Sequence, residues 1–485
     1  MKDFIISLAL ANMVYMEIWE RFFYKGNFTV HLPTSNSYLA LIIGEILITL
    51  VIWSGILLVR RINNKVVTKV TRFVFCLFVI SFLYELSKLW ENINIHIIEG
   101  LFLVVIILLL YLRKMTKVLA NVVLLFSPFV IIIFSQAVMG IINDWGKDHV
   151  VQTSTPFVMR ENSPRVVWFI FDEADQRVMF DKRPPQVNLP AIDRFREEAF
   201  QADNAYPPGG TTELSMSSII DGKIVVKTKG FDDWLQITYQ DSNVPLRWGS
   251  QPNVFSKVKA LKMNNAVFGY LPYSKTINKD VMYCGWSSGT YDYVGSKDTL
   301  LANLYAQFYG LLRFNNLNYT QHLIAYKEIL NAARNLVANP QYQLVLVHFD
   351  VPHLPSIAHY CWRDDSQTPK DYEDNLIIMD QTFSKLREIM ESKGIWDNTT
   401  VIVSSDHWLR RERYIRDRQV DHRVPFILKL AEQKKNIVYK PAFNTVLTHD
   451  LILALLKKEV VTEADLVKWF EQHREIYPLN TRPTK

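Results

Sequence analysis

The chain has 485 residues, 49% of them hydrophobic, 13% aromatic and 21% charged. That is too apolar for an ordinary pair of soluble domains, and the excess lies before about residue 145. A net charge of +6 is modest and gives no support to a nucleic-acid partner, while it suits a membrane-proximal or anionic-substrate role.

In chain order the apolar runs are "FIISLALANMVYMEIWERFFY", "SYLALIIGEILITLVIWSGILLV", "FVFCLFVISFLYELSKLW", "IIEGLFLVVIILLLYL" and "VLANVVLLFSPFVIIIFSQAVMGII". Each comes close to the roughly 20 residues that cross a bilayer, so residues 1–145 are expected to form a transmembrane helical bundle of about five spans. A cleaved signal peptide does not fit the start, which is long, lacks a small-residue cleavage site and is followed by more spans. Arg60, Arg61, Lys65, Lys69 and Arg72 separate the second and third spans, and Arg113, Lys114 and Lys117 the fourth and fifth. Basic loops stay in the cytoplasm, so the N-terminus is expected inside and everything after about residue 145 outside. Glu17, Glu20 and Arg21 read as interfacial charges at the outer boundary, with functional intramembrane charges as the alternative.

Residues 146–164, with Pro156 and Pro164, read as a linker to a domain over 165–485. There, short runs such as "RVVWFIFD", "NNAVFGYL", "YQLVLVHFD", "TTVIVSSDH" and "VPFILKL" alternate with helix-like stretches. Continuous apolar strands separated by helices predict an α/β domain, its sheet largely parallel with helices on both faces. Cys284 and Cys361 both fall in this external part, where an oxidising compartment permits a bridge; Cys76 lies in a span.

Ligands gather beyond the carboxyl ends of strands in open α/β sheets. Three predicted strands end in metal-ligand types: Asp172, Glu173 and Asp175; His348, Asp350 and His353; Asp406 and His407. Any one set alone is better explained as turn or cap chemistry, since Asp is common in both. Together with "AYPPGGTTELSMSSIIDGK", where Thr211 or Thr212 is either a helix cap or a nucleophile, they suggest a metal site. Carboxylate and imidazole donors without thiolates suit one divalent ion, Zn²⁺ or Mn²⁺, and Asp350, His353 and His422 leave room for a second. A metal-bound threonine hydroxyl becomes an attacking group at neutral pH.

The ordered set, an acid after the first strand, Thr212 ten residues before Gly222, "VPHLP" and "SSDH", resembles the alkaline phosphatase superfamily, in particular its sulfatase-like branch of membrane-anchored phosphotransferases. The anchor followed by an external domain looks like lipoteichoic acid synthase and the phosphoethanolamine transferases. The resemblance implies a metal site of Asp172, Thr212, Asp406 and His407, with Thr212 the nucleophile and Glu173 an alternative first-strand ligand. His353 and His422 would bind phosphate or protonate the leaving group, and Thr211, His348 and Arg423 would contact substrate. Thr212-Glu213-Leu214-Ser215-Met216 departs from the "C/S-x-P-x-R" context of sulfatases that form formylglycine, and Trp408 stands where Gly is usual.

The expected activity is transfer of a phospholipid headgroup phosphoester, of phosphoethanolamine or phosphoglycerol type, to a glycan or glycolipid at the outer face of a bacterial-type inner membrane. A hydrolase of the same superfamily and an inactive membrane scaffold are the alternatives. Bland readings apply first to "RRERYIRDR" (410–418) as a solvated run, to "YCGWSSGTYDY" (283–293) as a packed turn and to His449 as a helix-start residue.

Overall fold

The computed structural model describes residues 2–23, 28, 34–87, 100, 113–144, 156–158, 163–231, 234–287, 299–312, 317–357, 371–410 and 421–479. Packing divides the chain into two compact units: Met1–Tyr24, His31–Asp148 and Tyr293–Phe314 form the first, and Lys25–Val30, His149–Asp292 and Asn315–Lys485 the second.

The first unit holds helices α1 (Lys2–Val14), α2 (Met16–Phe23), α3 (Ser35–Ile62), α4 (Lys65–Ser87), α5 (Arg113–Leu125) and α6 (Ser127–Asp144). Among the described residues two helical stretches, Ser35–Ile62 and Val118–Ile142, are long and apolar enough to cross a membrane, where the sequence suggested about five. The first expected span is interrupted at Tyr15, α4 begins on Lys65, Lys69 and Arg72, and the fourth expected span falls outside the described residues apart from Gly100. The side chains of Glu17, Glu20 and Arg21 lie outside them too. Pro128 follows the turn at Phe126 between α5 and α6, as expected of a residue tolerated in a first helical turn and disfavoured further in. Thr34 caps α3 through a reciprocal pair with Ser37, and Arg60 and Arg61 close its last turn.

In the second unit the chain runs β1 (Val166–Phe171), a π-turn (Arg177–Asp181), α7 (Pro190–Arg196), β2 (Phe200–Tyr206), α8 (Thr212–Asp221), β3 (Val225–Gly230), β4 (Leu235–Tyr239), β5 (Leu246–Arg247), α9 (Val254–Ala260), β6 (Asn265–Gly269) and β7 (Tyr283–Trp286). Helix α10 (Leu300–Leu312) then belongs to the first unit, packed on α3. The α/β unit resumes with α11 (Leu317–Ala338), β8 (Leu344–Phe349), α12 (Asp371–Ser392), β9 (Thr400–Ser404), β10 (Val424–Lys429), β11 (Ile437–Tyr439), β12 (Phe443–Asn444), α13 (Thr448–Leu456) and α14 (Glu463–His473).

Among the described residues one sheet has nine strands, in the order β11-β2-β10-β9-β1-β8-β6-β7 with β12 on β2. The central strands β9, β1, β8, β6 and β7 are parallel, as are β11 and β12 to β2, but β10 runs antiparallel to both its neighbours, so the sheet is largely but not purely parallel. "VPFILK" is buried at every position, and a strand covered on both faces carries no alternation that would reveal its direction.

Alternate residues of β1 divide between two cores. Val166, Trp168 and Ile170 join α8, α9, α13 and α14, whereas Val167, Phe169 and Phe171 join α7, α11 and α12. That two-residue period decides which side chains can reach the loop before α8.

Candidate active site at the carboxyl ends of the central strands

Strands β9, β1 and β8 are parallel neighbours, with Ile170 paired to both His348 and Ser404, so their carboxyl ends lie side by side. His348 continues the row of Leu344 and Leu346 on the face that packs against α8. Asp172 follows β1 directly and donates its backbone N–H to Phe349 O at 3.1 Å. Asp406 follows β9 and is fully buried.

The opposing wall is the start of α8. Thr211 is the N-cap, its hydroxyl accepting from Leu214 N–H at 3.4 Å, and Thr212 is the first helical residue. Gly209 lets the loop close on the helix, since a Cβ there would come within 2.6 Å of Leu214 Cβ. Gly222 ends α8 at φ 69°, where a Cβ would also strike the His449 ring at 2.6 Å. The ten-residue interval from Thr212 to Gly222 is thus one helix between its first residue and its left-handed terminator, and His449 has a packing role.

Thr212 Oγ1 lies 3.3 Å from His407 Nε2, and that nitrogen is 3.5 Å from both Asp172 Oδ1 and Asp406 Oδ2. His407 Nδ1 is 3.0 Å from Trp408 O. A carbonyl only accepts, so Nδ1 carries a proton and the ring turns its Nε2 toward the two carboxylates and Thr212. Trp408 therefore orients His407 through its carbonyl while its buried ring lies tilted against His422 at 4.4 Å between centroids.

Three ligand atoms aimed into this space have no hydrogen-bond partner among the described residues although buried: Asp172 Oδ1, Asp406 Oδ2 and His348 Nε2. Ligand atoms of Asp172, His348 and Asp406 lie within 4.8 Å of one another. Burial, then the charges of Asp406 and Glu173, push the Asp172 carboxyl well above its usual range. Burial works the same way on Asp406, but His407, His348 and hydrogen bonds from the His407 N–H and the Thr212 hydroxyl outweigh it and hold that carboxyl low. Such unsatisfied buried carboxylates and imidazoles fit a divalent cation, which would offset the repulsion that otherwise keeps a proton on Asp172.

Burial brings His348 down to about 4, leaving it neutral, and Tyr273 OH meets its Nδ1 at 2.8 Å. His348 thus shares the space of the carboxylates rather than lying apart in the core. Burial also lowers His353 to about 4, with Glu173 opposing and His322, His407 and Arg410 reinforcing the effect. A neutral imidazole keeps one N–H that can donate to an anionic oxygen.

The structure separates the remaining candidates. Asp175 accepts from the backbone of Arg177, Val178 and Leu409 and organises the turn after β1. Glu173, at φ 64°, accepts from Arg410 Nε at 3.1 Å, so the first basic residue of the "RRERYIRDR" run reaches the site edge; residues 411–420 lie outside the described ones. Arg423 is bound to Asp421, to Asp181 at 2.6 Å and to Asp203 O at 3.0 Å, a structural network in place of the expected phosphate contact. Asp350 lies 3.3 Å from His322, whose two ring nitrogens also face Pro355 O and Asp350 O. The trio Asp350, His353 and His422, suggested for a second ion, has Asp350 turned to His322 and His422 against Trp408. Among the described residues Cys284 is a buried thiol with no bridge, and Cys361 is outside them, as is most of "YCGWSSGTYDY". His322 and Tyr273 carry no signal in the sequence, the first lying in α11 and the second in a three-residue 3₁₀ turn after β6, with no motif around either.

No curated protein sequence matches the chain. Similar solved structures include a phosphonate monoester hydrolase from Silicibacter pomeroyi (12% identity, 61% of this chain and 73% of that one, TM-score 0.41). A protein of the alkaline phosphatase superfamily from Vibrio parahaemolyticus (10%, 64% and 71%, 0.39) and murine ectonucleotide pyrophosphatase/phosphodiesterase 5 (8%, 61% and 95%, 0.38) are others. A family model described as Sulfatase matches residues 164–457, which takes in the whole nine-stranded sheet and more than half of the chain. The protein belongs to the Sulfatase family.

Proposed function

We propose that the protein is a membrane-anchored, metal-dependent phosphotransferase that moves a phospholipid headgroup phosphoester onto a glycan or glycolipid hydroxyl through a phospho-threonine intermediate. The observation that carries this reading is the Thr212 hydroxyl, 3.3 Å from His407 Nε2 at the edge of a buried carboxylate cluster. Asp172, Thr212, Asp406 and His407 would hold the ion, with His348 Nε2 beside them, and their donor types favour Zn²⁺ or Mn²⁺. When bound, such an ion lowers the pKa of a coordinated hydroxyl and offsets charge on phosphoryl oxygens.

Thr212 Oγ1 forms a bond to phosphorus while the bond from phosphorus to the diacylglycerol oxygen breaks; the threonine proton departs and the leaving oxygen takes one up from solvent. An acceptor hydroxyl then displaces Thr212, losing its proton as the threonine oxygen regains one. The first amides of α8 and the neutral His353 face a phosphate with donors. A threonine in place of Cys or Ser opposes sulfatase chemistry, since oxidising a secondary alcohol gives a ketone and not an aldehyde. The anchor supports a lipid donor, because tethering a site beside a two-dimensional pool of substrate raises its effective concentration.

Purified full chain incubated with headgroup-labelled phospholipid and candidate glycan acceptors tests this. Label on the acceptor is expected, and its appearance only as free phosphoester in water would make the enzyme a hydrolase.

A further inference from the structure

Helix α10, Leu300–Leu312, lies inside the stretch that matches the Sulfatase family, yet it packs with α3 in the helical unit. Its amphipathicity is reversed. The polar residues Asn303 and Gln307 are completely buried, Asn303 Oδ1 accepting from Ser37 Oγ at 3.2 Å and Gln307 Nε2 donating to Ser37 O at 3.1 Å. Leu301 and Tyr305, on the opposite side of the helix, are 78% and 71% exposed, and Tyr305 stacks on Tyr309.

A helix that hides its amides and presents leucine and tyrosine is built contrary to the rule for a surface in water. It follows the rule for one in lipid, where polar side chains bond between helices and apolar ones face outward. The unit's other helices present the same kind of surface, with Val51 on α3 and Ile131 on α6 each 71% exposed. The contact point also fixes a depth. Ser37 is in the first turn of α3, at the end opposite Arg60 and Arg61, so basic residues mark one end of the helix and α10 the other.

We propose that α10 is an interfacial helix, an insertion in the catalytic domain that turns Leu301 and Tyr305 into the phospholipids of the leaflet opposite the Arg60–Arg61 end of α3. Tyrosine suits that depth, with its ring among acyl chains and its hydroxyl at the headgroups. The inference rests on the reading of the first unit as a membrane anchor, and its test separates the two.

The photoreactive residue benzoylphenylalanine is placed in the full chain at Leu301, Tyr305, Val51 or Lys393, the last an exposed residue of the α/β unit. Each variant is irradiated in nanodiscs of phosphatidylethanolamine and phosphatidylglycerol, and its intact mass is read. The expected result is a gain of one phospholipid mass at Leu301, Tyr305 and Val51 and none at Lys393. A lipid adduct at Val51 with none at Leu301 and Tyr305, or with cross-links there to residues 88–112 or to a second copy, overturns the proposal and leaves the anchor standing. Absence of lipid at Val51 as well overturns both.

Discussion

Thr212 Oγ1 stands 3.3 Å from Nε2 of His407, a residue 195 positions further along the chain. The adjacent hydroxyl, on Thr211, turns instead to Leu214 N–H and caps α8. Two neighbouring threonines thus divide chemistry from helix stability, and substitution should separate them. Thr212→Ala is expected to lower turnover by about 10³-fold or more with a melting temperature close to the parent. Thr211→Ala should cost about 1 kcal/mol of stability and retain most activity. Steady-state rates and thermal melts of both variants check this.

The repulsion among buried acids makes a second prediction. Asp172 faces Asp406 and Glu173 in a site screened from water, so Asp172→Asn should raise the melting temperature of the metal-free protein while weakening metal retention. Asp406→Asn and His407→Ala should also lose metal. Metal analysis after dialysis, with melts before and after added Zn²⁺ or Mn²⁺, reads both effects. Wild type should gain stability on metal addition and Asp172→Asn should gain much less.

A pH dependence follows from Asp221, at the end of α8. Burial pushes its carboxyl up to about 7, against the hydrogen bonds it accepts from Tyr239 OH and Trp248 Nε1. An acid raised on folding binds its proton more tightly in the native state, so its stabilising contribution is complete below 3.8 and is lost as pH rises toward about 7. The loss is on the order of a few kcal/mol. Asp221→Asn should flatten that part of the stability profile, and melts of both proteins between pH 4 and 8 measure the difference.

The two arginines near the site should behave differently. Arg423 is held by Asp181 and Asp421, so Arg423→Ala is expected to destabilise the fold by roughly 1–3 kcal/mol and to change kcat/KM little. Arg410 pairs with the buried Glu173 beside the carboxylate cluster, so Arg410→Ala should lower kcat/KM by about tenfold through uncompensated negative charge. Kinetics and melts on the same preparations distinguish the cases.

Asp172, His348, Asp406 and His407 were legible in the sequence because each follows or ends a run of strand-forming residues, where the sheet places side chains at its carboxyl edge. The direction of β10 was not, since burial on both faces erases the alternation. Nor was the allegiance of α10, which lies inside the stretch 165–485 expected to form one α/β domain and shows its packing on α3 only through the partners of Asn303 and Gln307. Arg423 and Arg410 show the same limit at the level of single charges. Both are cations near predicted ligands, and only three-dimensional pairing reveals that one braces the fold while the other meets Glu173.

The most direct measurement is mass analysis of the protein after brief reaction with headgroup-labelled phospholipid and acid quenching. The account predicts a headgroup phosphoester on Thr212 that disappears when an acceptor is added and never forms in Thr212→Ala. An adduct on Thr211, or normal turnover in Thr212→Ala, would contradict it.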